Sequence, residues 1–146
     1  MANIIPYSFR GALFSGQHDF SNGAGKNTFK LSLYVTNPYT FTSTVYDPTG
    51  EVSTGGSSNY AIKTLANQAV ASTTAVASVD FDNVTWTSAT FTAAFAAIYN
   101  STTVDGLANR LVVVLDFGGD KTATNGDFTL AFPDAATPAN AIISMA

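Results

Sequence analysis

The sequence predicts an all-β fold, a single-domain antiparallel β-sandwich or barrel with an N-terminal arm and long loops, and three observations carry that prediction. Phe29, Leu31, Leu33 and Val35 alternate with Lys30, Ser32, Tyr34 and Thr36, which gives an extended segment one apolar and one polar face. Leu111 to Leu115 is apolar on both faces and β-branched through its centre, as a strand covered on each side requires. Finally, Glu51 is the only glutamate, lysines are few and threonines are many, so good helix formers are scarce.

Taken in order, residues 1–15 are apolar and aromatic (Ile4, Ile5, Tyr7, Phe9, Leu13, Phe14) and read as an arm or a first strand. Gly16 to Asn27 follows, rich in Gly and Asn, as a flexible link. The strand over 28–36 comes next. Pro38, Pro48-Thr49-Gly50 and Gly55-Gly56-Ser57-Ser58-Asn59 then punctuate a long loop, a kind of segment more often functional or interfacial than idle. Residues 59–65 and 74–82 read as further strands. Residues 91–99 fit a helical face through Phe91, Phe95 and Ile98 and an alternation through Phe91, Ala93, Phe95, Ala97 and Tyr99; the β-rich surroundings favour the strand. After Leu111–Leu115, the glycines and the Asn-Gly step of residues 118–127 favour chain reversal. The 111–115 strand is therefore expected to pair, through that loop, with the alternating strand Phe128, Leu130, Phe132.

At 146 residues the chain is one domain's worth, with an arm and link over 1–27 and a β-sandwich over 28–146. A domain of this size buries roughly 70% of its unfolded surface. Charged residues make up only 11%, against about 25% in a typical protein, and Thr, Ser, Asn and Gly take their place. Such a neutral surface is easier to desolvate than a charged one, which fits contact with other subunits, although a secreted protein would share it. The net charge of −4 and six scattered basic residues argue against nucleic acid as a partner. With no cysteine there is no disulfide and no thiolate metal site. The start of the chain lacks the pattern of a secretory signal, and no apolar run approaches the ~20 residues of a bilayer-spanning helix, so the chain reads as soluble and outside the membrane.

The inventory of reactive groups is thin. His18, the only histidine, lies in the Gly/Asn-rich link and reads as a solvated loop residue. Glu51 follows a turn and reads as a surface acid; no spacing rule supports a dyad with Asp47. Asp80 and Asp82 share a strand face, with Asn83 next, but no calcium-loop pattern surrounds them. Asp116-Phe117-Gly118 spells a kinase triplet without the rest of that machinery. Asn83-Val84-Thr85 and Asn100-Ser101-Thr102 match the glycosylation pattern only. Trp86, the only tryptophan, would stack on a sugar if exposed with Tyr99 or Tyr60, and fills the core if packed inward; the core reading is favoured. No catalytic, cofactor or metal residues are expected.

The succession Thr28-Phe-Lys-Leu-Ser-Leu-Tyr34, Gly50-Glu-Val52, Gly55-Gly56 before Asn59-Tyr60, Asp80-Phe-Asp82 with Trp86, Ala93 to Tyr99-Asn100, Leu115-Asp-Phe-Gly118 and Gly126-Asp-Phe-Thr129 resembles small virion structural proteins of tailed bacteriophages. The resemblance covers residues 28–132 and lies in order and spacing. It implies a non-enzymatic capsid decoration (cement) protein on the capsid exterior, synthesised in the host cytoplasm. Its expected partners are the major capsid protein and further copies of itself, with a trimer matching local three-fold positions of the shell. Neck, tail or fibre association, or a carbohydrate-binding module on the particle, are the alternatives. The expected interface residues are Ile4, Ile5, Tyr7 and Phe9 of the arm and Tyr39, Phe41, Tyr46 and Tyr60 of the long loop.

Overall fold

The computed structural model describes residues 2–53, 59–73, 75–133, 137 and 141–145. The Gly55–Ser58 part of the expected loop and Thr74 of the expected 74–82 strand lie outside them. Among the described residues one helix, α1 (Tyr7–Phe14), precedes strands β1 (Phe29–Tyr34), β2 (Lys63–Thr64), β3 (Ala69–Ser72), β4 (Ala77–Asp80), β5 (Val84–Asn100), β6 (Arg110–Leu130) and β7 (Ile143–Met145). They form two antiparallel sheets, in the orders β2-β1-β5-β6 and β3-β4-β7. The architecture is thus the expected all-β sandwich.

β1 pairs with β5 from Phe29↔Asn100 to Tyr34↔Phe95, so the ambiguous 91–99 segment is a strand. Phe29, Leu31 and Leu33 are fully buried, as their alternation requires, whereas Val35, expected on the same face, lies past the end of β1 and is exposed; Ser32 and Tyr34 on the opposite face are buried as well. The chain covers that second face too. Ile4, Tyr39, Leu111 and Val114 pack around Tyr34 there, while the main core gathers Phe9, Phe20, Phe81, Trp86, Phe91 and Ile143 against the first face. Of the expected 59–65 strand only Lys63–Thr64 pairs, and of 74–82 only Ala77–Asp80.

The loop expected over 118–127 is corrected: these residues lie inside β6, and the 111–115 and 128–130 runs both pair with β5 rather than with each other. Positive φ is present, at Gly118 (72°), Gly119 (140°) and Asn125 (48°), but it bulges the strand instead of reversing it. Between the pairs Phe95↔Asp116 and Ala93↔Lys121, β5 advances two residues and β6 five, so β6 accommodates three extra residues around the glycines. The reversal occurs earlier. Asp105 (φ 51°) and Gly106 (φ 75°) form a two-residue turn closed by Val104 N–H to Leu107 O (3.0 Å) and Leu107 N–H to Val104 O (3.1 Å), the turn chemistry favoured in tight hairpins.

The N-terminal arm is also corrected. Ile4 bridges to Val114 through two backbone hydrogen bonds of 2.9 Å, and the chain then turns into α1, whose Phe9 (1% exposed) and Ala12 (5%) are buried. Phe9, Ala12 and Leu13, spaced i, i+3, i+4, share a helix face, and all three meet the domain. Pro6, with φ −61°, precedes the first turn. The helix ends in a Schellman arrangement, with Gly16 N–H on Leu13 O (3.1 Å) and Gln17 N–H on Ala12 O (2.9 Å). Docking makes this segment part of the core, so it is no free arm.

Candidate functional site

The start of α1, residues 40–46 and the 104–107 turn form one face of the domain. Tyr7 N–H donates to Phe41 O (3.0 Å), and Ser8 Oγ–H donates to Ser43 O (3.0 Å). The next residues join the large sheet: Leu111 N–H donates to Thr44 O (3.0 Å), and Tyr46 N–H to Asn109 O (2.8 Å). These bonds fix the backbones beneath two exposed rings. Tyr7 (59% exposed) and Phe41 (45%) stack with centroids 5.7 Å apart at 21°, and the Arg10 guanidinium lies 5.5 Å from the Tyr7 centroid. Aromatic and arginine side chains held on a rigid frame are the groups that most often anchor protein interfaces.

Beneath this face a partly open cavity of about 280 Å³ is walled by Phe9, Ala12, Val45, Leu107 and Leu111, with Ser8, Thr44, His18 and Arg110 supplying its polar groups. His18 is buried, in contrast to the solvated loop residue expected. Its ring lies 5.0 Å from that of Phe9, and its Nδ1 lies 3.2 Å from the Asn100 amide nitrogen. That amide is oriented by Thr102 N–H donating to Asn100 Oδ1 (3.1 Å) and by its own bond to Asn27 Oδ1 (2.8 Å). Since an amide nitrogen only donates, Nδ1 accepts and the ring proton sits on Nε2. Burial, with the nearby Arg110 charge, holds the His18 pKa down at about 4, so the ring is neutral at pH 7. His18 Nε2 and Arg110 Nε are both buried without a hydrogen-bond partner among the described residues. Each such donor costs about 1–3 kcal/mol.

A second polar cluster lies on the other side of residues 39–52. Glu51 accepts hydrogen bonds from the Tyr46 and Tyr60 hydroxyls, while the Tyr34 hydroxyl donates to Asp47 O (2.8 Å) and lies 2.6 Å from that of Tyr39. Burial pushes the Tyr34, Tyr39, Tyr46 and Tyr60 phenols up and Tyr99 to about 12, and the Glu51 carboxylate raises them further. They remain donors at neutral pH. The cluster therefore clamps the loop to β1.

The clamp depends on Gly50, which has φ 77° at the third position of the Pro48–Glu51 turn; Val35 N–H donates to its carbonyl (2.9 Å). A Cβ there would sit 2.3 Å from Thr36 Oγ1 and 2.6 Å from Thr36 O. Gly50→Ala is expected to cost about 2–4 kcal/mol, combining left-handed strain with overpacking. Urea denaturation checks this, and a change below about 0.5 kcal/mol would show that the turn relaxes freely.

Of the eight interface residues expected from the sequence, Tyr7 and Phe41 meet on the exposed face. Ile4, Phe9, Tyr39 and Tyr60 are buried within the domain, and Ile5 and Tyr46 are partly buried. Trp86 is 1% exposed, with its indole N–H donating to Ala61 O (2.8 Å), so it is a core residue and no sugar platform. Asp82 accepts from the Asn67 amide (2.5 Å), and no three His, Cys, Asp or Glu among the described residues are grouped to hold a metal. In the Asp116-Phe117-Gly118 triplet the Asp116 carboxylate accepts from Gly118 N–H (2.8 Å), a local bond within the bulge. Asn100 is fully buried, which removes the second glycosylation pattern from the surface, whereas Asn83 is exposed and accepts from Phe132 N–H (2.7 Å). The pairing of His18 with Asn100 and the placing of Arg110 at the same cavity carried no local sequence signal. Compared with known proteins, the chain matches no family model, no curated protein and no solved structure.

Proposed function

We propose that the chain is a structural subunit of a tailed-phage virion, most specifically a capsid decoration protein. It binds the outer shell and its own copies as a trimer, reinforces contacts between capsomers, and carries out no chemistry. The single observation that carries this reading is the stacked Tyr7–Phe41 pair with Arg10, an exposed aromatic anchor pinned by hydrogen bonds on a β frame. The charge-poor composition supports it, because neutral surface is readily desolvated against a neighbour. So does the resemblance over residues 28–132. A modest contact per copy becomes effective when many copies span neighbouring capsid subunits. The rival glycan-binding reading required an exposed Trp86, and that residue is in the core.

The test adds purified protein to undecorated heads and reads occupancy in a particle map. Tyr7→Ala with Phe41→Ala should leave the circular dichroism spectrum unchanged and weaken attachment at least about tenfold, as loss of an aromatic anchor does. Density confined to the neck or tail would overturn the head assignment. Undiminished occupancy by the folded double variant would overturn this face as the contact.

A further inference from the structure

We propose that the outer face of α1 pairs with the same face of a second copy of the chain, antiparallel across a two-fold axis, to give a weak dimer. The inference is independent of the virion reading, since it asks only for two copies of the isolated protein. It starts from what the helix leaves uncovered. Phe9, Ala12 and Leu13 turn into the domain, and the four exposed positions of α1 are Tyr7, Arg10, Gly11 and Phe14. A surface helix ordinarily presents charged and polar side chains to water. This one presents two aromatic rings, a glycine and a single charge, and Phe14, at 92%, is the most exposed large apolar side chain among the described residues.

The row is complementary to itself. With two copies of the helix antiparallel and position 7 set against position 14, position 10 falls against position 11. Each Tyr7 then meets Phe14 of the second copy, and each Arg10 stem meets a glycine. A Cβ at Gly11 would have nothing within 4 Å, so a single copy leaves that slot open. Arg10 leans toward the start of the helix, with a terminal nitrogen 3.4 Å from Ile5 O and its guanidinium 5.5 Å from the Tyr7 centroid, which keeps the two like charges off the axis. Phe41, 5.7 Å from Tyr7, widens the platform on which Phe14 of the second copy rests. The same patch is used twice, so the contact closes at two copies.

Area sets the strength. Tyr7, Phe14 and Phe41, 59%, 92% and 45% exposed, leave about two aromatic side chains' worth of surface open in each copy, roughly 300–500 Å². The pair therefore buries about 600–1,000 Å², short of the ~1,200–2,000 Å² of a stable complex, and a dissociation constant of about 0.1–1 mM follows. A lipid surface is the competing occupant of an aromatic helix face. One arginine on a chain of net charge −4 gives anionic headgroups little to hold, and a bilayer does not account for the fit of Arg10 to Gly11 and Tyr7 to Phe14.

The test is sedimentation equilibrium of the full chain from about 20 µM to about 2 mM, bracketing the expected constant. Phe14→Ala should raise that constant at least about tenfold, as loss of an aromatic anchor does. Gly11→Gln should do the same while the thermal midpoint holds or rises, because glutamine is the better helix former and projects into open space in a single copy. In a mixture of ¹³C-labelled and unlabelled protein, an intermolecular NOE between the Tyr7 and Phe14 rings should appear; within one chain the two positions lie about 10 Å apart along the axis. A chain still monomeric at about 2 mM would overturn the proposal, as would undiminished association of folded Phe14→Ala or Gly11→Gln protein. A Tyr7 to Tyr7 NOE in place of Tyr7 to Phe14 would overturn the antiparallel pairing. Monomeric protein that instead sediments with phosphatidylcholine–phosphatidylglycerol vesicles would overturn the second copy in favour of a lipid surface.

Discussion

Deleting residues 2–14 is expected to unfold the domain. The segment contributes Phe9 (1% exposed), Ile4 (5%) and Ala12 (5%) to the interior. Ile4 also exchanges two backbone hydrogen bonds with Val114 near the start of the large sheet's last strand. Truncating one buried Phe to Ala typically costs about 3–5 kcal/mol and one Ile about 2–5. Their joint loss, before the bared strand is counted, equals the whole stability of an ordinary domain, about 5–15 kcal/mol. Phe9→Ala alone should cost about 3–5 kcal/mol in urea denaturation. Phe14→Ala, at a side chain 92% exposed on the same helix, should stay within about 0.5 kcal/mol. A truncated protein that kept a dispersed ¹H–¹⁵N spectrum and lost no more than about 1 kcal/mol would mean that the helix is a peripheral arm after all.

The helix shows where a sequence of this kind becomes hard to read. Eight residues with Tyr7 and Phe9 two apart match alternation as well as a helical face, and tertiary contact of Phe9, Ala12 and Leu13 decides between them. β1 was legible because its apolar residues repeat at the strand period, whereas residues 91–99 of β5 fit a helical face as well and only their β-rich surroundings favoured the strand. The Gly118–Asp127 stretch departs from the expected turn because positive φ serves bulges as well as turns, and only the partner strand distinguishes them. The true reversal did carry a signal, the Asp105-Gly106 step, a preferred pair for a two-residue hairpin.

The candidate sites were less legible still. Their contacts join residues far apart in the chain, such as His18 with Asn100 and Tyr7 with Phe41. Which aromatic is a surface anchor and which a core residue is set by what covers it. Tyr39 and Phe41 lie two residues apart, yet the first is sealed against Tyr34 and the second stacks in the open on Tyr7.

The same principle governs the second large effect. Trp86→Ala is expected to cost about 3–5 kcal/mol. The indole is fully enclosed, meeting Tyr60, Phe91 and Phe128 at centroid distances of 6.4, 6.1 and 5.9 Å, with the Lys63 ammonium 5.7 Å from its ring. Removing it leaves a cavity between β5 and β6 that these rings cannot close, because Phe91 and Phe128 are themselves held by ladder pairing of their strands to one another. It also strips Ala61 O of its indole donor. Trp86→Phe separates the two contributions: it restores most of the volume without the N–H, and should recover all but about 1–2 kcal/mol. Because Trp86 is the only tryptophan, fluorescence of the native protein reports on this core, and its emission should shift to the red as urea unfolds the chain. A Trp86→Ala protein within about 1 kcal/mol of the native one would place the indole outside the packed interior, and would reopen it as a surface stacking platform.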